Sequence, residues 1–169
     1  MKTLILIFFV NYGIAQTSNT YVSSYKIADV DQKSFIFKSP NDEVVLSLKS
    51  KAFTRTNGEV FKLLKSKNRV FLTIDTDTVA VKIKNCIYSL EHNDTVLYKI
   101  RGRSLKIENK DILEGYIKFK GNEVQVSIRQ ISSNIDKGVI YLFLYKILTE
   151  AKIINESNLF TTGILPGLL

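Results

Sequence analysis

A mainly β fold with one buried C-terminal helix is what this sequence predicts, with about twelve antiparallel strands forming a barrel or a curled sheet around the helix. Three observations predict it. Ten Phe and eight Tyr sit among many Val, Ile, Leu and Thr in a chain of 169 residues with only 8 Gly and 2 Pro, a mixture that suits pleated, half-buried surfaces. Short runs of alternating apolar and polar residues recur between turn signals along most of the chain. One late stretch then abandons alternation and is apolar on nearly every side. With 45% of residues hydrophobic, the chain has material for one packed domain and too little length for two ordinary ones.

The first fifteen residues stand apart from that domain. Lys2 gives a positive start, Leu4 to Val10 an unbroken apolar run, and Gly13-Ile14-Ala15 a small-residue cleavage site, which together predict a cleaved signal peptide over residues 1–15. The apolar run is far shorter than the roughly 20 residues a membrane-spanning helix needs. The expected location is therefore secreted or periplasmic. Residues 16–156 form the predicted β-rich domain and 157–169 a C-terminal tail. A domain of this size buries about 70% of its unfolded surface without disulfides, which agrees with the single Cys86.

Within the domain, Val79-Ala80-Val81-Lys82-Ile83-Lys84 and Val124-Gln125-Val126-Ser127-Ile128-Arg129 alternate most cleanly. A strand sends successive side chains to opposite faces, so each run predicts an apolar inner face and a wet outer one. Turn chemistry divides the remainder. Ser39-Pro40-Asn41-Asp42 separates residues 34–38 from 43–48, and Asn57-Gly58 predicts a two-residue hairpin between 51–56 and 59–65. Further breaks fall at 66–68, 75–77, 92–94, Gly102, 109–111 and 121–122. So many short sequential strands predict an antiparallel meander that curls or closes to cover its apolar face.

The pattern changes at Asp136 to Ile154, DKGVIYLFLYKILTEAKII. Ser132, Ser133, Asn134 and Asp136 offer N-caps, and Lys146 and Lys152 lie toward the negative end of a helix dipole. A helix this apolar must be surrounded, and it is too short and too interrupted by Lys146 and Glu150 to cross a membrane. The same Val, Ile, Tyr and Phe also suit a central strand over 138–144, and composition leaves that alternative open.

Serial hairpins from Tyr25 to Ile131 followed by the apolar run Gly138 to Tyr145 resemble the tubby C-terminal-like fold shared by tubby domains, LURP-one-related proteins and phospholipid scramblases. The likeness covers most of the domain, is architectural, and aligns no motif to named positions. It implies a barrel wrapped on a helix and, by analogy, a surface that faces membranes or lipid headgroups.

Composition excludes more chemistry than it suggests. One His, one Cys and no Trp cannot build a multi-His metal site or a Cys-ligated zinc. No metal site, cofactor or catalytic constellation is predicted, and the protein reads as a non-enzyme. Asp29 with Asp31 and Asp75 with Asp77 lack the further oxygen ligands calcium needs. His92 could act as a general base for Ser89 or Ser104, but it sits in a turn and no nucleophile elbow occurs. Cys86 begins an apolar run without an activating His. Asn93-Asp94-Thr95 and Asn155-Glu156-Ser157 match the glycosylation sequon.

The charge pattern says more. The net charge is +8, and the residues from Val44 to Lys120 hold 16 Lys and Arg against 8 Asp and Glu, while the rest of the chain balances. Lys82, Lys84, Lys99, Arg101, Lys118, Lys120 and Arg129 fall on polar-phase positions and should project from the outer face, where lysines also serve solubility and protect edges. Arg101-Gly102-Arg103 is a hairpin tip where two guanidinium groups flank a flexible backbone, a local anion candidate. The candidate ligand-binding residues are accordingly Arg101, Arg103, Lys82, Lys84, Lys118 and Lys120. The expected function is an exported binding module that contacts anionic lipid headgroups or glycans through a basic outer face. Nucleic acid is not an expected partner, because no aromatic interleaving accompanies the basic positions. Two other readings remain: a small secreted hydrolase using His92, and a structural or adhesion subunit presenting a sheet edge or the tail.

Overall fold

The computed structural model describes residues 20–26, 34–39, 42–91, 95–120, 123–132 and 134–150. The predicted signal peptide, the tail, both Asp29 and Asp31, and His92 lie outside them. Twelve strands precede one helix: β1 (Thr20–Lys26), β2 (Ser34–Ser39), β3 (Asp42–Ser47), β4 (Ala52–Arg55), β5 (Val60–Ser66), β6 (Arg69–Ile74), β7 (Asp77–Ile83), β8 (Cys86–Ser89), β9 (Val96–Arg101), β10 (Ser104–Ile107), β11 (Lys110–Lys120), β12 (Glu123–Gln130) and α1 (Lys137–Glu150). Every strand pairs antiparallel with its sequence neighbours, and β1 returns to β12, so the sheet runs round on itself. The ring closes at one paired position, Val22 with Lys38.

The helix fills the ring. Every residue from Gly138 to Tyr145 is buried, as are Ile147 and Leu148. The apolar run that could have been a central strand is thus a helix, because a closed wall offers apolar contact on all sides and leaves no ladder to join. Tyr141 stacks on Phe53 with ring centroids 5.0 Å apart and meets Phe61 edge-on at 4.9 Å. On the far side β11 comes so near that a Cβ on Gly115 would lie 2.6 Å from Ile147 Cδ1. Each large side chain withdrawn from water in this way contributes about 1.5–3 kcal/mol.

Two sequence expectations fail locally. Asn57-Gly58 does not make a two-residue turn: Gly58 N donates to Arg55 O at 2.9 Å and Arg55 N to Glu59 O at 3.0 Å, with Gly58 at φ 85°. This is a three-residue loop that ends on a left-handed glycine. In β7 the faces are exchanged. Ala80 is opposite Leu72 and Ser89, and Lys82 is opposite Val70 and Ile87, all core-facing partners. A bulge at Leu72/Thr73 resets the phase after Val79, which still packs against the core; Val81, 8% exposed, and Ile83 take the outward phase instead. Space is tight at this contact: a Cβ on Gly138, at the start of α1, would stand 3.1 Å from Ala80 Cβ and 3.3 Å from Val79 Cγ2, so the small Ala80 and Gly138 let wall and helix approach closely.

The N-terminus of α1 is held from the wall. Asp136 O accepts from Val139 N at 3.0 Å and Ile140 N at 3.2 Å, which makes Asp136 the cap residue. Its carboxylate accepts from the Ser89 hydroxyl, and Gly138 N donates to Glu91 Oε1 at 3.1 Å. Free N–H groups and the positive end of the dipole both favour carboxylates here.

Candidate functional site: a basic rim at one end of the barrel

In a ring of sequential antiparallel strands, consecutive hairpins fall at opposite ends. The loops after β3, β5, β7 and β9 therefore share one end, and those after β4, β6, β8 and β10 the other. The helix runs between them. Gly138 bonds Glu91 just after β8, whereas Lys146 Nζ donates to Gly102 O in the β9–β10 turn.

This geometry sorts the charges by end. Among the described residues, the turns at the helix C-terminal end carry Lys49, Lys51, Lys67, Lys84 and Arg103 and no acidic residue, and those at the N-terminal end carry Glu59, Asp75, Glu91, Glu108 and, before the helix, Asp136, and no Lys or Arg. Lys49, Lys67, Lys84, Arg101 and Arg103 are exposed. They make no side-chain hydrogen bond or ion pair with any described residue.

Most described cations toward the opposite end are committed. Lys38 pairs with Glu43 at 3.1 Å, Arg55 with Glu59 at 2.7 Å, Lys106 with Asp111 at 3.1 Å, Arg129 with Glu114 at 2.7 Å, and Lys137 with Glu59 at 3.9 Å. At the basic end Glu150 is matched to Lys146 at 2.7 Å.

The predicted ligand residues converge on this rim and not on a stripe along the wall. Lys84 and Arg103 are in its turns, Arg101 closes β9 beside them, and Lys118 is exposed near the same end of β11. Lys120 ends that strand; its side chain lies outside the described residues. Lys82 is the exception. It reaches the same end of β7 but on the inner phase, half-buried, in the phase set by the bulge described above. Arg129, predicted on the same outer face, belongs to the other end. Lys49 and Lys67 were not singled out by strand alternation because they sit in turns. The signal that finds them is the alternation of hairpins between the two ends.

Of the residues considered for catalysis, Ser89 has other employment. Ser89 is 1% exposed and gives its hydroxyl to Asp136. Tyr98 faces the same cluster, and its phenol is held above its usual range by burial first and then by the negative charges of Asp136 and Glu91. These groups hold the helix in register. Cys86 is half-buried on the wall. Searches against protein-family models, curated proteins and solved structures found no match to this chain.

Proposed function

We propose that the protein is an exported, non-enzymatic binding module that docks end-on, through its basic rim, onto an anionic lipid surface. One observation carries this: Lys49, Lys67, Lys84, Arg101 and Arg103, exposed and without a partner among the described residues, gather at one end of the barrel, while most described cations toward the other end are paired, Lys110 being an exception. Because the basic turns follow β3, β5, β7 and β9 around much of the circumference, they suit a plane of headgroups better than the single line of charge of a linear glycan. Each Lys or Arg near an anionic leaflet contributes about 1 kcal/mol, so four or five suffice for reversible attachment. The helix also ends at this rim, and the sequence beyond Glu150 includes Leu159, Phe160, Ile164 and Leu165, the kind of apolar complement that a polybasic contact uses. The ring of strands around one helix supports the likeness to the tubby C-terminal-like fold.

The test is sedimentation with phosphatidylcholine vesicles, with and without an anionic lipid, at low and high salt, beside a heparin column. Binding to the acidic vesicles alone, released by salt, is expected, because exposed charges are screened within about 10 Å at 0.1 M. Equal binding to both vesicles, or to neither, overturns the proposal. Retention on heparin without vesicle binding transfers the rim to a glycan.

A further inference from the structure

Below the rim, on the outer wall of β9 and β10, an open groove of about 440 Å³ is lined by Leu97, Lys99, Arg101, Lys106, Ile107 and Glu108 among others. Its upper part holds an arrangement that folding alone disfavours. Lys99 and Lys106 are direct cross-strand partners, and like charges in that position repel, with Cβ atoms about 5 Å apart. Arg101, two residues along the same face, adds a third cation. A bulge at Leu105/Lys106 shifts the β10–β11 register so that Lys106 is opposite Asp111, and the carboxylate takes the ammonium at 3.1 and 3.2 Å. Lys106 is therefore half-neutralised and held in place, whereas Lys99 and Arg101 have no ion partner among the described residues. Lower down the lining turns apolar, with Leu97 40% exposed and Ile107 beside it. The floor ends at Glu108 and Asn109, both in left-handed backbone at φ 48° and 69°.

We infer that this groove is a discrete site for one phosphate group carried next to an apolar moiety. A compact oxyanion with up to two charges matches two uncommitted cations, relieves the Lys99–Lys106 repulsion, and can take the paired N–H donors of Arg101. Leu97 and Ile107 receive the apolar part, and Glu108 repels a second anion and orients the ligand with its phosphate toward the rim. The chemistry is independent of the docking proposal; only the source of the phosphate, a lipid headgroup or a soluble ester, rests on it.

Two arms test the inference. In the first, inorganic phosphate is titrated into labelled protein while the backbone amides are followed. Saturable shifts confined to residues 97–101 and 104–107 are expected. Lys99→Ser should weaken them roughly tenfold, the loss of one charge-assisted contact, while Lys67→Ser should leave them unchanged. Lys99→Ser removes a repulsion and so keeps the fold; its melting temperature should not fall. In the second arm, vesicles doped with phosphatidic acid are compared with vesicles of equal anionic content doped with phosphatidylglycerol. A preference for phosphatidic acid that vanishes in Lys99→Ser assigns the groove to a lipid phosphomonoester. Phosphate shifts without vesicle binding keep the groove for a soluble ester and sink the docking proposal. Vesicle binding with no shifts, and with Lys99→Ser equal to the parent, overturns the groove.

Discussion

The two ends of this barrel are built from the same kind of hairpin and put to different use. At the acidic end several charges are tied down within the fold: Glu59 takes Arg55 and Lys137, while Glu91 and Asp136 hold the start of α1. At the basic end the cations of Lys49, Lys67, Lys84 and Arg103 point at nothing in the described fold. The helix dipole accounts for the sign of each end but not for this difference, since its influence fades within a turn and these turns sit on the wall, around the axis. Backbone preference does not account for it either. Lys51, Lys67 and Lys84 occupy left-handed conformations at φ 53°, 51° and 50°, where a side chain costs roughly 1–2 kcal/mol and glycine does not. The comparison teaches that charge at one end is largely balanced within the fold, whereas the cations at the other are balanced by no described residue, which is the feature the proposed docking uses.

The largest effect should come from stripping the open end. Lys49→Ser, Lys67→Gly, Lys84→Gly and Arg103→Ser together should lower partition onto acidic vesicles about a thousandfold, at roughly 1 kcal/mol for each cation. The same protein should be more stable to urea, each glycine contributing about 0.5–1 kcal/mol by relieving the left-handed strain. Unchanged partition would erase the contrast between the ends. A smaller effect of opposite kind belongs to the closed end. Asp136→Ala leaves the Ser89 hydroxyl buried without its acceptor and should cost about 1–3 kcal/mol in urea unfolding, with vesicle partition unaltered. The smallest is a pH effect. Burial above all, then Asp136 and Glu91, raises the Tyr98 phenol above 10.0, so the folded state keeps that proton when the unfolded chain has lost it. Stability should be intact below pH 10 and decline from there upward through the folded-state pKa. Tyr98→Phe should flatten that part of the profile, measured as urea midpoints across the alkaline range.

Much of the architecture is legible in the residues because it rests on local rules. Alternation and turn chemistry mark the hairpins, and the unbroken apolar face from Val139 to Tyr145 demands enclosure. What is not legible depends on contacts distant in sequence. The inward phase of Lys82 follows from a bulge in β6–β7, and the close approach of Ala80 to the helix joins residues forty positions or more apart. Glu91 as a helix cap has no local signature, because it comes from a strand end and not from the segment before the helix. Of the site, the chemistry was visible as an excess of cations between Val44 and Lys120, but its shape was not. Read by strand phase, those residues make a stripe; once hairpins are assigned to alternate ends, most of them make a rim. Lys99 and Lys106 acquire meaning only as a facing pair, which requires the register.

The segment that fills the barrel follows all twelve wall strands along the chain. Until Tyr145 and Leu148 leave the ribosome, the twelve strands lack the buried helix they condense upon. The same order makes loss of the final helix far more damaging than its fourteen residues suggest, since every wall strand would then face an empty middle.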